Sequence, residues 1–243
     1  MTPYYERDGI TIYHGDAREI LPTMDSSSVD LLLADPPYPD LKGGYERGPG
    51  GVGTKHIKSI SVSGELWESN LLWIPEAWRV ARLGMMVFCT YHSVAEVGLL
   101  VPQDARIGLL TWYKRNAAPT GSNVPRHTTE LIWMFRKRPG IKWDTITTTM
   151  LDIPNINAGI MATERLVDRN KRALHPTQKP LALMHTIMLP GADTILDPFM
   201  GTGTTLLAAK NLGRRAIGIE LDEQHCETAV KRLQQSVLSL EAS

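Results

Sequence analysis

Val29-Asp30-Leu31-Leu32-Leu33-Ala34-Asp35-Pro36-Pro37-Tyr38 is the stretch on which the fold turns. Its apolar run, Leu31 to Ala34, reads as a buried strand. Two prolines in succession forbid both a helix and further ladder pairing, so the chain must stop there in an extended, rigid turn. That turn leaves a carboxylate, a proline carbonyl and an aromatic ring at the carboxyl edge of a sheet. A flat heterocycle carrying an amino group needs such a set. Asp35 and the Pro36 carbonyl accept its N–H groups, Pro37 stiffens the corner, and Tyr38 offers a ring for stacking.

A second turn has related logic. Asp197-Pro198-Phe199-Met200-Gly201-Thr202-Gly203-Thr204-Thr205 follows another strand-like run and opens a helix. Glycines between strand and helix let a ligand approach the backbone and meet the helix N-terminus. Glu220 ends the next strand, 17 positions after Gly203 (220 − 203), where a carboxylate can accept both hydroxyls of a ribose. The turn is no dinucleotide fingerprint, which needs a third glycine where this chain has Leu206, and it lacks the Gly-Lys-Ser/Thr of a phosphate loop. Asp197 supplies an acid for a cationic amino group. The two turns together predict a cofactor-dependent enzyme acting on a nucleobase.

Working outward, strands alternate with helices. Strands are expected at Ile10–Tyr13, Leu31–Ala34, Met85–Thr90, Ile107–Tyr113, Leu131–Arg136, Thr194–Leu196 and Ala216–Glu220, those at Ile107–Tyr113 and Leu131–Arg136 being the outer ones. Helices are expected after Asp16, over Leu71–Leu83 with Gly84 ending it, near Ser93–Leu100, from Pro180 to Met188, over Thr204–Leu212 closed by Gly213, and after Asp222. Such alternation implies an α/β fold with a three-layer, mainly parallel sheet. The whole chain, 1–243, reads as one domain. It carries a glycine-dense stretch at 39–65, read as a mobile loop over the site, and an aperiodic stretch at 139–174.

Composition sets the class. The chain has 243 residues, 42% hydrophobic and 21% charged, ordinary for a globular protein with a substantial core. No run approaches the length of a membrane span, the N-terminus lacks a leader pattern, and Cys89 and Cys226 show no ligand or disulfide spacing. The expectation is a cytoplasmic protein with reduced core thiols and no metal. Net charge is zero, against a general polyanion binder. Basic residues nevertheless cluster beside the turns. Lys42, Arg47, Lys55, His56 and Lys58 form one group, Lys114, Arg115 and Arg126 another, and Arg165, Arg169, Lys171, Arg172 and Lys179 a third. Three such runs flanking the chemical motifs favour a nucleic-acid surface.

In order along the chain stand Gly15-Asp16, Asp35-Pro36-Pro37-Tyr38, Trp112-Tyr113-Lys114 with Glu130, His175-Pro176-Thr177-Gln178-Lys179-Pro180, and Asp197-Pro198-Phe199-Met200-Gly201-Thr202-Gly203. The ordered set resembles the amino-group DNA methyltransferases that make N6-methyladenine or N4-methylcytosine, in the permuted class whose catalytic motif precedes the cofactor motif. The resemblance implies a Rossmann-like S-adenosylmethionine-dependent methyltransferase fold with 139–174 as a small target-recognition insertion. It implies that Phe199, Gly201, Gly203 and Thr204 line the cofactor, that Glu220 holds its ribose and that Asp16 lies near its adenine. Asp197, Thr177, Lys179 and Pro180 would surround its methionine end. Asp35, Pro36, Pro37 and Tyr38 would be catalytic. The partner implied is DNA, double-stranded before the target base flips out, with Lys42, Arg47, Arg165, Arg169, Lys171 and Arg172 as candidate contacts. A homodimer and a companion restriction nuclease are compatible with the resemblance, and the residues read out neither.

Adenine N6 is favoured over cytosine N4 because Asp, here Asp35, is the usual first motif residue in the adenine members of this class, where cytosine members often carry Ser. The rival readings are a cytosine-N4 enzyme, a protein-glutamine methyltransferase and a non-catalytic DNA-binding module. The glutamine enzymes usually carry Asn-Pro-Pro-Tyr after the cofactor motif, the reverse of the order here.

Overall fold

The computed structural model describes residues 1–37, 71–91, 93–100, 102, 105–116, 128–137, 146, 148–156, 164, 166 and 178–241. Its nine strands are β1 (Tyr5–Arg7), β2 (Ile10–His14), β3 (Val29–Ala34), β4 (Ala81–Cys89), β5 (Arg106–Tyr113), β6 (Thr129–Arg136), β7 (Met150–Asp152), β8 (Thr194–Asp197) and β9 (Arg215–Glu220). Among the described residues the helices are α1 (Ala17–Ile20), α2 (Trp73–Val80), α3 (Val94–Leu99), α4 (Leu181–Ile187), α5 (Thr204–Asn211) and α6 (Glu223–Glu241), with a 3₁₀ turn at Leu21–Thr23.

All nine strands join one sheet in the order β1-β2-β9-β8-β3-β4-β6-β5-β7. The pairs β2–β9, β9–β8, β8–β3 and β3–β4 are parallel, as is β5–β7, while β1–β2, β4–β6 and β6–β5 are antiparallel. The mainly parallel α/β expectation therefore stands, and the antiparallel pairs lie away from the centre. The central strands are buried on both faces. Along β4, Met86 and Phe88 enter one apolar cluster and Met85, Val87 and Cys89 the other, the two-residue alternation of a strand. Helices α4, α5 and α6 cover the first face through Leu183, Ile187, Leu206, Ala209 and Leu233. Helices α1, α2 and α3 cover the second through Ile20, Trp73, Ala77 and Val97. This gives the three layers.

Three differences from the sequence reading have physical causes. Helix α2 stops at Val80 and β4 begins at Ala81, so Gly84 is a strand residue and not a helix terminator. It sits at φ +153°, where a Cβ would run into the Phe135 carbonyl oxygen. The glycine serves close backbone approach inside the sheet. Strands β5 and β6 are not the last on their side, because β7 adds in parallel beyond β5, and β1 caps the opposite edge. Each of these edge strands has three residues, too few for alternation to register.

The glycine-dense stretch 39–65 lies outside the described residues, as does most of 139–174. The described part of the latter is tied to the sheet. Trp112 Nε1 donates to the Ile153 carbonyl at 2.7 Å, and the Asn116 side chain exchanges hydrogen bonds with the Asn155 backbone at 2.6 Å each. Among the described residues no helix is long and apolar enough to cross a membrane.

Candidate active site

Strands β8 and β3 are neighbours whose onward connections diverge, β8 leading through α5 to β9 and β3 leading to β4. In open α/β sheets such a divergence opens a crevice at the carboxyl ends of the strands, the usual ligand position. A cavity of about 410 Å³ occupies it. Most of its walls come from four strand ends: Gly15 and Asp16 after β2, Asp35, Pro36 and Pro37 after β3, Asp197 to Thr202 with Thr204 and Thr205 around the second turn, and Glu220 and Leu221 at the end of β9. The volume lies within the range of small-molecule sites.

The half of the cavity beside β8 and β9 is built around backbone donors and two acids. Asp197 is 4% exposed, and its carboxylate accepts the Phe199 N–H at 3.0 Å and a bond from Thr205. Burial pushes its pKa up to about 7 against the pull of these donors, and the charges of Asp35 and Glu220 push the same way. Among the described residues no cation pairs with it. Glu220 accepts the Gly201 N–H at 2.8 Å on one oxygen and the Asp222 N–H at 2.9 Å on the other. His225 Nδ1 stands 3.6 Å from that second oxygen. Burial would raise the Glu220 pKa, yet the bonds from His225 and the backbone hold it below the ordinary carboxylate value.

Phe199 packs edge-on against Trp73 at 5.0 Å between ring centres, and the Trp73 Nε1 is buried with no partner among the described residues. Asp16 lines the cavity and also caps α1, accepting from the Arg18 N–H at 2.8 Å and from the Arg18 guanidinium.

The half beside β3 is ionic. Lys179 Nζ lies 2.6 Å from Asp35 Oδ2 and 3.3 Å from Glu130 Oε2. Lys114 Nζ lies 2.9 Å from Glu130 Oε1. The Lys179 side chain is 5% exposed and stands 5.0 Å from the Phe88 ring centre. Burial alone would lower the Lys179 pKa, but the carboxylates of Asp35 and Glu130 carry it above its usual value. Burial likewise opposes ionisation of Glu130, and Lys179 and Lys114 overcome it to leave its pKa lowered. The fold brings these groups from β3, β6, the end of β5 and the approach to α4 to one point.

Of the residues expected at the site, Asp35, Pro36, Pro37, Asp16, Lys179, Asp197, Phe199, Gly201, Thr204 and Glu220 line the one cavity. Pro180 and Gly203 are not among its lining residues. Pro180 is the N-cap of α4. Gly203 opens α5 at φ +80°, where a Cβ would lie 2.9 Å from the Ala229 Cβ. Tyr38, Thr177, Lys42, Arg47, Arg165, Arg169, Lys171 and Arg172 lie outside the described residues.

Lys179 was expected at the methionine end of a cofactor; it lines the cavity but is spent on two carboxylates. Reasoning from sequence gave Glu130 no role and missed Trp73, Arg18 and His225, all of which border the cavity or its ion chain. Trp73 reads as one apolar position of a helix, and His225 as one polar position of another, so neither carried a signal.

Comparison with known proteins agrees with this arrangement. The profile of the N6/N4 methyltransferase family, described as DNA methylase, matches residues 29–231. The chain is 32% identical to the Type II methyltransferase M2.DpnII of Streptococcus pneumoniae, over 96% of this chain and 92% of that protein. It is also 32% identical to the Type II methyltransferase M2.LlaDCHI of Lactococcus lactis subsp. cremoris, over 95% and 91%. Among solved structures, the M1.HpyAVI–SAM complex superposes with a TM-score of 0.64 at 26% identity, covering 92% of this chain and 98% of that one.

Proposed function

The chain belongs to the N6/N4 DNA methylase family, and from that premise we propose that it is a site-specific methyltransferase moving a methyl group from S-adenosylmethionine to the N6 amine of adenine in DNA. The observation that carries the reading is a single cavity bordered both by Asp35-Pro36-Pro37 and by the Asp197–Gly201 turn with Glu220. The residues fit the cofactor. Buried Asp197, with no cation on it among the described residues, suits its ammonium group, and Glu220 keeps lone pairs for ribose hydroxyls beyond the two it gives to backbone N–H groups. Phe199 and Leu221 add apolar wall.

When bound, S-adenosylmethionine supplies a methyl on a sulfonium, which the amine nitrogen takes as the C–S bond breaks and one amine proton is lost. The protein's part is positioning and electrostatics. An exocyclic amine is a weak nucleophile because its lone pair is delocalised into the ring. Asp35 and the Pro36 carbonyl accept its two N–H bonds and draw the nitrogen toward a tetrahedral shape, freeing the lone pair. The carboxylate also offsets the positive charge that the nitrogen gains. The choice of adenine rests on Asp35 as the first motif residue, the pattern of the adenine members that this chain resembles.

In this reading the target base leaves the duplex, stacks on Tyr38 and is reached through the basic residues at 42, 47, 165, 169, 171 and 172. A recognition insertion at 139–174 and a mobile loop at 39–65 complete it. The type II relatives suggest a protein that marks DNA beside a restriction nuclease. The test is to incubate DNA from a methylation-deficient host with the protein and labelled S-adenosylmethionine, digest to nucleosides and identify the product. N6-methyl-2′-deoxyadenosine supports the assignment; N4-methyl-2′-deoxycytidine moves it to the cytosine class, and no incorporation overturns it.

A further inference from the structure

We propose that Lys179 is a positioning residue shared between Asp35 and Glu130, and that Glu130 sets how strongly Asp35 accepts from the target amine by drawing this cation toward itself. The proposal rests on the reading of Asp35 as the amine's acceptor.

Four charges alternate in a chain: Asp35, Lys179, Glu130 and Lys114, at successive separations of 2.6, 3.3 and 2.9 Å. Glu130 lies on β6, separated from β3 by β4. Lys179 is the described residue that touches both Glu130 and Asp35. A carboxylate holding an ammonium at 2.6 Å has one oxygen engaged and its charge partly cancelled, so it is a weaker acceptor. A second carboxylate on the same ammonium opposes that cancellation. The cation leans toward Asp35, by 2.6 Å against 3.3 Å, and stays over the Phe88 ring, an apolar floor that bears no competing charge. Lys114 in turn limits what Glu130 can give, being 2.9 Å from its other oxygen.

Described charged groups about Asp35 include Lys179 before α4, Glu130 on β6 and Lys114 after β5, with Asp197 at the end of β8, Glu220 at the end of β9, and Asp16, Arg18 and His225 lining the same cavity. The charge of Asp35 disfavours ionisation of Asp197. Arrival of the amine places new N–H donors on Asp35, and Lys179 then has a second carboxylate to shift toward without leaving its buried position.

The test is single-turnover transfer of labelled methyl to DNA from a methylation-deficient host, at S-adenosylmethionine concentrations that saturate at every pH and followed from pH 4 to 9. Wild type is compared with Glu130→Gln, Lys179→Met and Lys179→Arg. Glu130→Gln removes the second carboxylate from the cation and leaves more of its charge on Asp35, so the acid limb of the rate profile moves to lower pH while the plateau falls about tenfold. Lys179→Met removes the cation and sets two carboxylates against each other, so the limb moves up by roughly one unit. Lys179→Arg keeps the charge and returns the limb to the wild-type position.

A merely structural role lowers plateaus and leaves the limbs in place. Limbs that stay fixed, or that move the same way in Glu130→Gln and Lys179→Met, overturn the proposal. Should Lys179→Met fail to fold, the shift of Glu130→Gln against the unshifted Lys179→Arg decides. Asp35→Asn keeps the two ideas apart. If it transfers methyl at the wild-type rate, the reading of Asp35 fails and takes the proposal with it. If it is dead while the other limbs stay fixed, the proposal alone fails.

Discussion

Two acids end adjacent strands of the sheet, and the protein surrounds them in opposite ways. Asp197, closing β8, is buried with backbone and hydroxyl donors and no described cation, and its pKa is pushed up to about 7. Asp35, just after β3, has Lys179 at 2.6 Å, and Lys179 is held from behind by Glu130. One acid has its counter-charge built in. The other is left for a ligand to complete. The cofactor proposed here carries an ammonium group, whereas the target base arrives neutral and needs an acceptor already fixed in place. The contrast therefore matches the charges of the two reactants.

The largest effect that would break this comparison is on stability. Removing one partner from a buried ion network leaves uncompensated charge, at a cost of about 3–5 kcal/mol. Lys179→Met should lose an amount of that order in urea unfolding without ligand. Asp197→Asn at pH 8 should lose nothing and gain slightly. The sign follows from linkage. The folded pKa of Asp197 lies above its unfolded value of about 3.8, so the wild type loses stability as pH rises from about 4 to about 7, and the amide escapes that loss. The Lys179 network behaves in reverse on the acid side. The Glu130 pKa is lowered from 4.5, so its stabilisation is full above that value and is lost as pH falls through the folded pKa. Equal losses in the two variants would end the distinction.

The next effect is on rate. Asp35→Ala should lower methyl transfer by at least ~10²-fold, about 2.7 kcal/mol of barrier, while calorimetric affinity for S-adenosylmethionine stays within about threefold. Asp197→Ala should do the converse, weakening the cofactor first. If Asp35→Ala lost cofactor binding in proportion to rate, the two acids would belong to one subsite.

A third test uses pH alone. With Asp197 titrating near 7, the fraction able to pair with an ammonium rises about tenfold between pH 6 and 8. A free α-amino group itself loses its proton near 8. Affinity for S-adenosylmethionine should therefore climb from pH 6, peak between about 7 and 8, and fall beyond. In Asp197→Asn the rising limb should vanish. A flat wild-type profile would mean that Asp197 does not meet the cofactor's cation.

How much of this was legible in the sequence follows from the range of each interaction. The corner at Asp35-Pro36-Pro37 and the turn through Gly201 and Gly203 were readable because a strand, its terminator and its glycines are neighbours in the chain. Their convergence on one cavity followed from the alternation of strands and helices. Gly84 was misread because apolar spacing at helical period runs on from α2 into the first residues of β4, and only the nearby Phe135 carbonyl explains the glycine. Lys179 looked like one member of a basic run. Its partner Asp35 is 144 positions away and Glu130 is 49 away (179 − 130). No local pattern records such a pairing, nor the burial that raises the pKa of Asp197.

Asp16 supplies the smallest and sharpest test, because it lies on the cofactor side yet carries a cation of its own. The Arg18 guanidinium beside it holds its carboxyl below the ordinary range, and the same carboxylate caps α1 through the Arg18 N–H. An acid already paired should behave like Asp35 and not like Asp197: its charge is spoken for before a ligand arrives. Asp16→Asn keeps a capping oxygen, so unfolding should change by no more than about 0.5 kcal/mol, whereas Asp16→Ala should lose about 1 kcal/mol with the cap. Cofactor affinity in Asp16→Asn should stay within about threefold, the size of a screened, partly exposed charge. A loss beyond tenfold with the fold intact would mean that Asp16 binds the cofactor through its charge in spite of Arg18. The line between completed and waiting acids would then run through the cofactor half itself instead of between the two strands.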